Sequence, residues 1–266
     1  MVDLFQTLPK APPHVIDRVG DRLENRARDP AQIAILESYI ADLVFPAGAI
    51  VVELGCGTGP VCRRFAAIAD VARVIGIEPA PGLVDKARTL ADSDKLDFQV
   101  GTGEASGLDD GVADIVVLHT LLSHVPDQDA ILDETLRLLK PGGQLAVCDA
   151  DFSKTSVAIG DADPLQTCVE AWAEISVTDR WLGPRLPGLL KAKGFAVRSF
   201  KGHSRVDIAG ISTGPGWVTM GADALARSGR ISEATAEALK VECQRRIDEG
   251  RFYAALPFVT AVATRG

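Results

Sequence analysis

From Ala49 onward the chain alternates short apolar runs with amphipathic stretches. The runs Ala49–Leu54, Ala72–Ile77, Leu96–Val100, Ala113–Leu118 and Gln144–Cys148 have the length and composition of buried strands. Between them, Thr58–Ile68, Pro81–Leu90 and Gln128–Leu139 read as helices, the last stopped by Pro141-Gly142-Gly143. Apolar strands separated by helices predict an α/β fold: a doubly wound, mostly parallel sheet covered on both faces.

The flanks read differently. Residues 1–13 form a proline-rich arm. Val15 to Val44 is helical, with apolar Ile33, Leu36, Ile40 and Leu43 in register. Asp29-Pro30 supplies a cap and a first-turn proline, so two helices meet there. Phe45-Pro46-Ala47-Gly48 is a turn. After the fifth strand, 150–182 reads as loop and helix, Pro184–Ala192 as a short helix and Phe195–Phe200 as a sixth strand. Thr213–Gly216 reads as a loop, Ile231–Glu249 as a helix and Phe252–Ala263 as a final strand. Pro257 marks that strand as an edge or a bulge. The expected organisation is one structural domain: an N-terminal helical lid over 1–44, a cofactor-binding core over 45–150, and the rest of the sheet with lid insertions over 151–266.

Composition narrows the function. At 266 residues, with 47% hydrophobic and 24% charged residues, the chain is ordinary globular material. A net charge of −8 gives no electrostatic reason to bind nucleic acid or an anionic membrane. No apolar run approaches the roughly eighteen residues of a membrane span. Cysteines 56, 62, 148, 168 and 243 are odd in number and scattered without a CxxC, so they read as reduced thiols and not as a zinc site. No basic segment leads into an apolar one at the N-terminus. These features predict a cytoplasmic protein with no metal; the assembly left open is a homodimer.

The chemistry gathers at the strand ends, where open parallel sheets bind ligands. Glu53-Leu54-Gly55-Cys56-Gly57-Thr58-Gly59 places three alternate glycines between a strand and a helix. Glu78 closes the second strand, where a carboxylate accepts hydrogen bonds from an adenosine ribose. A dinucleotide loop requires GxGxxG, and Pro60 stands where the third glycine would be. Glu53, just before the glycines, repels a pyrophosphate and suits an ammonium group. S-adenosylmethionine (adenosine, no phosphate, a zwitterionic tail) fits this pattern.

Residues 49–149 resemble a class I S-adenosylmethionine-dependent methyltransferase of the small-molecule type related to quinone-biosynthesis methyltransferases. The resemblance rests on Glu53–Gly59, Ile75-Gly76-Ile77-Glu78-Pro79, Gly103-Glu104-Ala105, His124-Val125-Pro126-Asp127 and Leu139-Lys140-Pro141-Gly142-Gly143. It implies a seven-stranded sheet of order 3-2-1-4-5-7-6 with the last strand antiparallel. It also implies that Gly55, Cys56 and Gly57 approach the methionine part of the cofactor and Glu53 its amino end. Glu78 would take the ribose, Leu83 and Ala105 the faces of the adenine, and Glu104 the adenine amino group. Pro79, Gly103, Thr120 and His124 complete the implied contacts, and His119 faces the methyl group.

The expected activity is in-line methyl transfer to oxygen, nitrogen or carbon of a small organic acceptor. Such a reaction gains from alignment and from exclusion of water. His119 is the first candidate for a base, followed by His124, Asp149, Asp151 and His203. Trp172, Trp181 and Trp217 are either core or an aromatic acceptor wall. Arg22, Arg26 and Arg28 are either a wet helix face or a clamp on a carboxylate. The rival readings are an NAD(P)-dependent oxidoreductase and a non-catalytic cofactor-binding protein.

Overall fold

The computed structural model describes residues 3–210 and 213–266. Met1 and Val2 of the arm, and Ile211 and Ser212 of the expected lid insertion, lie outside the described residues. In chain order the elements are α1 (Leu4–Thr7), a 3-10 turn (Leu8–Lys10), α2 (Pro13–Ala27), α3 (Pro30–Ile40), β1 (Ala49–Leu54), α4 (Pro60–Ala66), β2 (Val71–Glu78) and α5 (Pro81–Thr89). β3 (Leu96–Val100), β4 (Ala113–His119), α6 (Gln128–Leu138), β5 (Leu139–Ala150) and a 3-10 turn (Phe152–Lys154) follow. The chain closes with α7 (Pro164–Ser176), α8 (Leu182–Ala192), β6 (Phe195–Asp207), α9 (Gly214–Arg227), α10 (Glu233–Asp248) and β7 (Ala254–Arg265).

The seven strands form one sheet of order β3-β2-β1-β4-β5-β7-β6, as the resemblance implies. β1 to β5 pair in parallel, and β7 runs antiparallel to both of its neighbours. Alternation along each strand sends successive side chains to opposite faces. Val51, Ile115, Val117 and Cys148 therefore join α3, α4 and the α7–α9 pair on one face. Val52, Leu54, Val116, Leu118 and Val147 pack against α6 and α8 on the other. Glu53 and His119 stand two residues from Val51 and Val117, and so share the α3–α4 face. A third cluster of Leu8, Ile16, Val19, Ala80 and Leu83 fastens the arm and α2 to the start of α5.

Three expectations need correction. Thr213–Gly216 opens a helix: Gly214–Arg227 is α9, with a proline in its first turn. A first-turn proline costs no intrahelical hydrogen bond. Trp217, Val218, Ala222 and Leu225 then give the helix a buried face. Pro257 marks neither an edge nor a bulge, since β7 lies between β5 and β6 and pairs with Ser204 at this residue without a shift in register. Pro257 offers its carbonyl to Asp151 N–H just past the end of β5. The sixth strand runs to Asp207, beyond the expected Phe200, because β7 pairs with it throughout.

Candidate functional site

A cavity of about 360 Å³ opens above the carboxyl ends of the central strands. Glu53, Gly55, Cys56, Gly57, Glu78, Pro79, Leu83, Gly103, Glu104, His119, Thr120 and His124 all line it. Ala105 does not; it is exposed, and Thr102 lines the cavity instead. The Ala105 N–H turns back to the Thr102 carbonyl, which directs the short β3–β4 loop outward after Glu104. A larger open groove of about 940 Å³ lies between α2 and α5; of the Glu53–Gly59 segment Thr58 lines it, and Glu78 and His119 do not.

The glycine loop takes its shape from its backbone. Gly55 and Gly57 have φ of 75° and 56°, where L side chains are strained. A Cβ at either would also stand 2.8 Å from a leucine methyl, of Leu121 and Leu23 respectively. Glu78 holds the loop from the next strand. Its carboxylate accepts Gly57 N–H at 3.1 Å and Ala80 N–H at 2.9 Å. A carboxylate has about four acceptor sites, so two remain for a ligand. Burial raises the pKa of Glu78, and the two backbone donors work against that rise.

Glu53 is buried on the floor, 3% exposed, and accepts the Cys62 thiol at 2.8 Å. Desolvation pushes its pKa up to about 8 against the thiol bond, so the carboxyl is largely protonated at neutral pH. Arg26 reaches the cavity from α2 and donates to Thr120 Oγ1 at 3.0 Å. Among the described residues it makes no ion pair, and desolvation lowers its pKa. Thr120 itself has φ of 53°, a strained conformation for a β-branched residue. Its N–H bonds to the Cys148 carbonyl at 2.7 Å, which fixes the turn.

His119 ends β4 and sits opposite Cys148 on β5. Its Nδ1 lies 3.0 Å from the Tyr39 hydroxyl of α3. Burial, with the Arg26 cation nearby, lowers its pKa to about 3 and leaves the ring neutral. His124 Nδ1 meets Asp3 at 2.7 Å, and Phe5 lies over its ring at 4.6 Å between centroids.

The other named residues fall outside the cavity. Asp149 is buried and accepts Ser123 Oγ–H and N–H at 2.7 and 3.1 Å. Asp151 caps the 3-10 turn after β5. His203 Nε2 lies 3.0 Å from Thr260 Oγ1, within the sheet. Trp172 and Trp217 stack at 5.0 Å in the core, and Trp181 is exposed beside Lys154 and Arg180. Arg22 is exposed, and Arg28 lines only the groove between α2 and α5.

Among the described residues, none after Pro126 lines the cavity, whereas Phe5, Gln6, Leu8 and Pro9 of the arm do. Hydrophobic patterning gives no sign of which residues of the expected 1–44 lid reach the cavity. An arm short in hydrophobic periodicity acquires its place through Gln6, which donates to the His124 carbonyl and to Thr178 Oγ1. α2 is fixed in turn by Glu24, which accepts Thr58 Oγ–H at 2.6 Å and pairs with Arg63 at 2.8 Å. Among the described residues, no group of three His, Cys, Asp or Glu is placed to hold a metal ion, and no helix is long and apolar enough to cross a membrane.

Comparison with known proteins agrees with this geometry. Residues 52–147 match the profile of a methyltransferase domain. The ubiquinone biosynthesis O-methyltransferase of Xanthomonas axonopodis pv. citri (strain 306) is 37% identical over 146 residues, 54% of this chain and 59% of that protein. The chain spans 44% to 59% of the length of the first curated relatives it matches. The YcgJ protein of Bacillus subtilis has a TM-score of 0.61 at 17% identity, covering 86% of this chain and 97% of that one. The geranyl diphosphate C-methyltransferase of Streptomyces coelicolor A3(2), solved with S-adenosyl-L-homocysteine, has a TM-score of 0.54 at 16% identity. That match covers 88% of this chain and 76% of the other. Residues 52–147 thus carry the profile of a methyltransferase domain, and the sheet has the strand order that the resemblance to class I S-adenosylmethionine-dependent methyltransferases implies.

Proposed function

We propose that the chain transfers a methyl group from S-adenosylmethionine to a small organic acceptor. The observation that carries this reading is the pairing of Glu53 and Arg26 in one cavity. Both face it, and neither makes an ion pair among the described residues. A zwitterionic amino acid tail supplies an ammonium for the first and a carboxylate for the second. A pyrophosphate supplies no ammonium and leaves the Glu53 carboxyl without a cationic partner.

The remaining contacts fit the same ligand. Glu78, with two acceptor sites free, suits a pair of ribose hydroxyls. Leu83 offers an apolar side for the adenine, and Glu104 an acceptor for its amino group. Gly55 and Gly57 let backbone approach the tail. When bound, the cofactor supplies an electrophilic methyl group on a sulfonium that leaves as a neutral thioether. The chain's own part is to align the acceptor and keep water out. At about 360 Å³, the low end for a ligand pocket, the cavity has room for one ligand while the arm is down. The arm therefore lifts to admit the acceptor, and the 151–250 insertions are proposed as the far wall of the opened site.

A cytoplasmic setting goes with this reading, and five free, buried thiols suit it. A homodimer is part of the same proposal. The test is a screen of small metabolites, phenols foremost, with methyl-labelled cofactor. Label in a product supports the reading; cofactor binding without transfer to any acceptor favours the non-catalytic alternative.

A further inference from the structure

The two nitrogens of His119 are in different situations. Nδ1 is 3.0 Å from the hydroxyl of Tyr39, itself 1% exposed. Nε2 has no partner among the described residues, yet it is absent from the polar atoms that are both buried and unpaired. Since His119 lines the cavity, Nε2 is the nitrogen that opens on it.

Tyr39 decides which nitrogen carries the proton. Its hydroxyl has one hydrogen to give, and Nδ1 is the one acceptor within reach among the described residues. The opposite arrangement, with Nδ1–H donating to the phenol oxygen, leaves the tyrosine proton buried without an acceptor, which folded proteins avoid. Burial also raises the phenol pKa well above its ordinary value, so the hydroxyl keeps its proton. A neutral ring that accepts at Nδ1 carries its own hydrogen on Nε2.

We infer that Tyr39 fixes His119 as the Nε2–H tautomer, so that His119 presents the cavity with a hydrogen-bond donor and not a proton acceptor. Tyr39 is the positioning residue in this pair. The atom facing His119 must then bring a lone pair and no proton to be removed by this ring. That describes a carbonyl oxygen, or the oxygen of a phenol, enol or carboxylic acid that arrives ionised. The guanidinium of Arg26, in the same cavity, favours the anionic members of this class. The assignment to an acceptor rests on the methyl-transfer reading; the tautomer does not.

The two can be tested apart. In protein labelled with nitrogen-15 in its imidazoles, long-range proton–nitrogen spectra report which ring nitrogen is protonated, and His119→Gln assigns the signal. The expected result at neutral pH is a proton on Nε2 and a bare Nδ1. In Tyr39→Phe the two nitrogen shifts should move toward each other as the second tautomer becomes populated. A proton on Nδ1 in the unmodified protein overturns the inference. Unchanged nitrogen shifts in Tyr39→Phe remove Tyr39 from the role. Failure to bind S-adenosylhomocysteine, with the tautomer as expected, counts against the methyl-transfer reading alone.

Discussion

The thiol of Cys62 donates to the carboxyl of Glu53 at 2.8 Å, and both side chains are buried beneath the cavity. Alternation puts Glu53 on the α3–α4 face of β1, and the first full turn of α4 brings Cys62 over it. The thiol is a weak donor, too weak to hold a carboxylate ionised against desolvation. The result is a carboxyl poised near neutrality, with a pKa of about 8 in the ligand-free protein.

Proton release on cofactor binding follows from that poise. An ammonium group beside Glu53 favours the carboxylate, so binding expels the proton. Cofactor affinity should rise with pH, by up to about tenfold per unit, and level off above about 8. Calorimetry in buffers of different ionisation heat counts the protons released. Glu53→Gln should release none. Stability of the ligand-free protein runs the other way. The folded pKa lies above the ordinary 4.5, so this contribution is complete below 4.5 and lost as pH rises to about 8. Chemical denaturation across that window should show a slope that Glu53→Gln flattens.

Glu78 ties Gly57 to Ala80 and faces the cavity. Glu78→Ala should weaken cofactor binding by about 1–3 kcal/mol, the scale of a hydrogen bond to a charged group. Glu78→Gln keeps one acceptor oxygen and should lose less. Equal affinity in all three proteins, read by calorimetry, removes Glu78 from the ribose role.

Among the described residues Arg26 has one hydrogen-bond partner, Thr120, for five N–H donors. Arg26→Met should reduce cofactor affinity about tenfold to a hundredfold, as expected for a lost charge-assisted bond. It should not lower the melting temperature of the ligand-free protein, because no ion pair is broken. A large loss of stability instead marks Arg26 as structural.

For an acceptor found by screening, His119→Ala should lower turnover about tenfold to a hundredfold, the loss of one donor to a charged oxygen. His119→Gln, whose amide offers a donor at a similar reach, should recover most of it. Equal losses of about 10²–10⁴ in both variants indicate a base.

The central sheet was legible because its strands are apolar on both faces and carry their chemistry at their ends. Glu53, Glu78 and His119 were visible as polar residues closing apolar runs, and the structure brings all three to one cavity. What the sequence hid is tertiary. α9 hides behind Thr213–Gly216, whose glycines and proline signal a turn as readily as a helix start. Pro257 lies inside the sheet because β5 ends first. Ala105 matches a motif by position, yet its loop turns it outward. Tyr39 looked like one more helical residue until α3 set its hydroxyl against His119. The arm belongs to the expected 1–44 lid but carries no periodicity to say where it docks; its contacts with His124 and Thr178 set it beside the cavity.

Most of the account depends on a pocket made for a nucleoside joined to an amino acid. Parallel calorimetric titrations with S-adenosylmethionine and with NAD, in oxidised and reduced form, test it most directly. The expected result is one molecule of S-adenosylmethionine bound per chain, with proton release below pH 8, and no heat from either nicotinamide. Saturable binding of NAD with none of S-adenosylmethionine contradicts it.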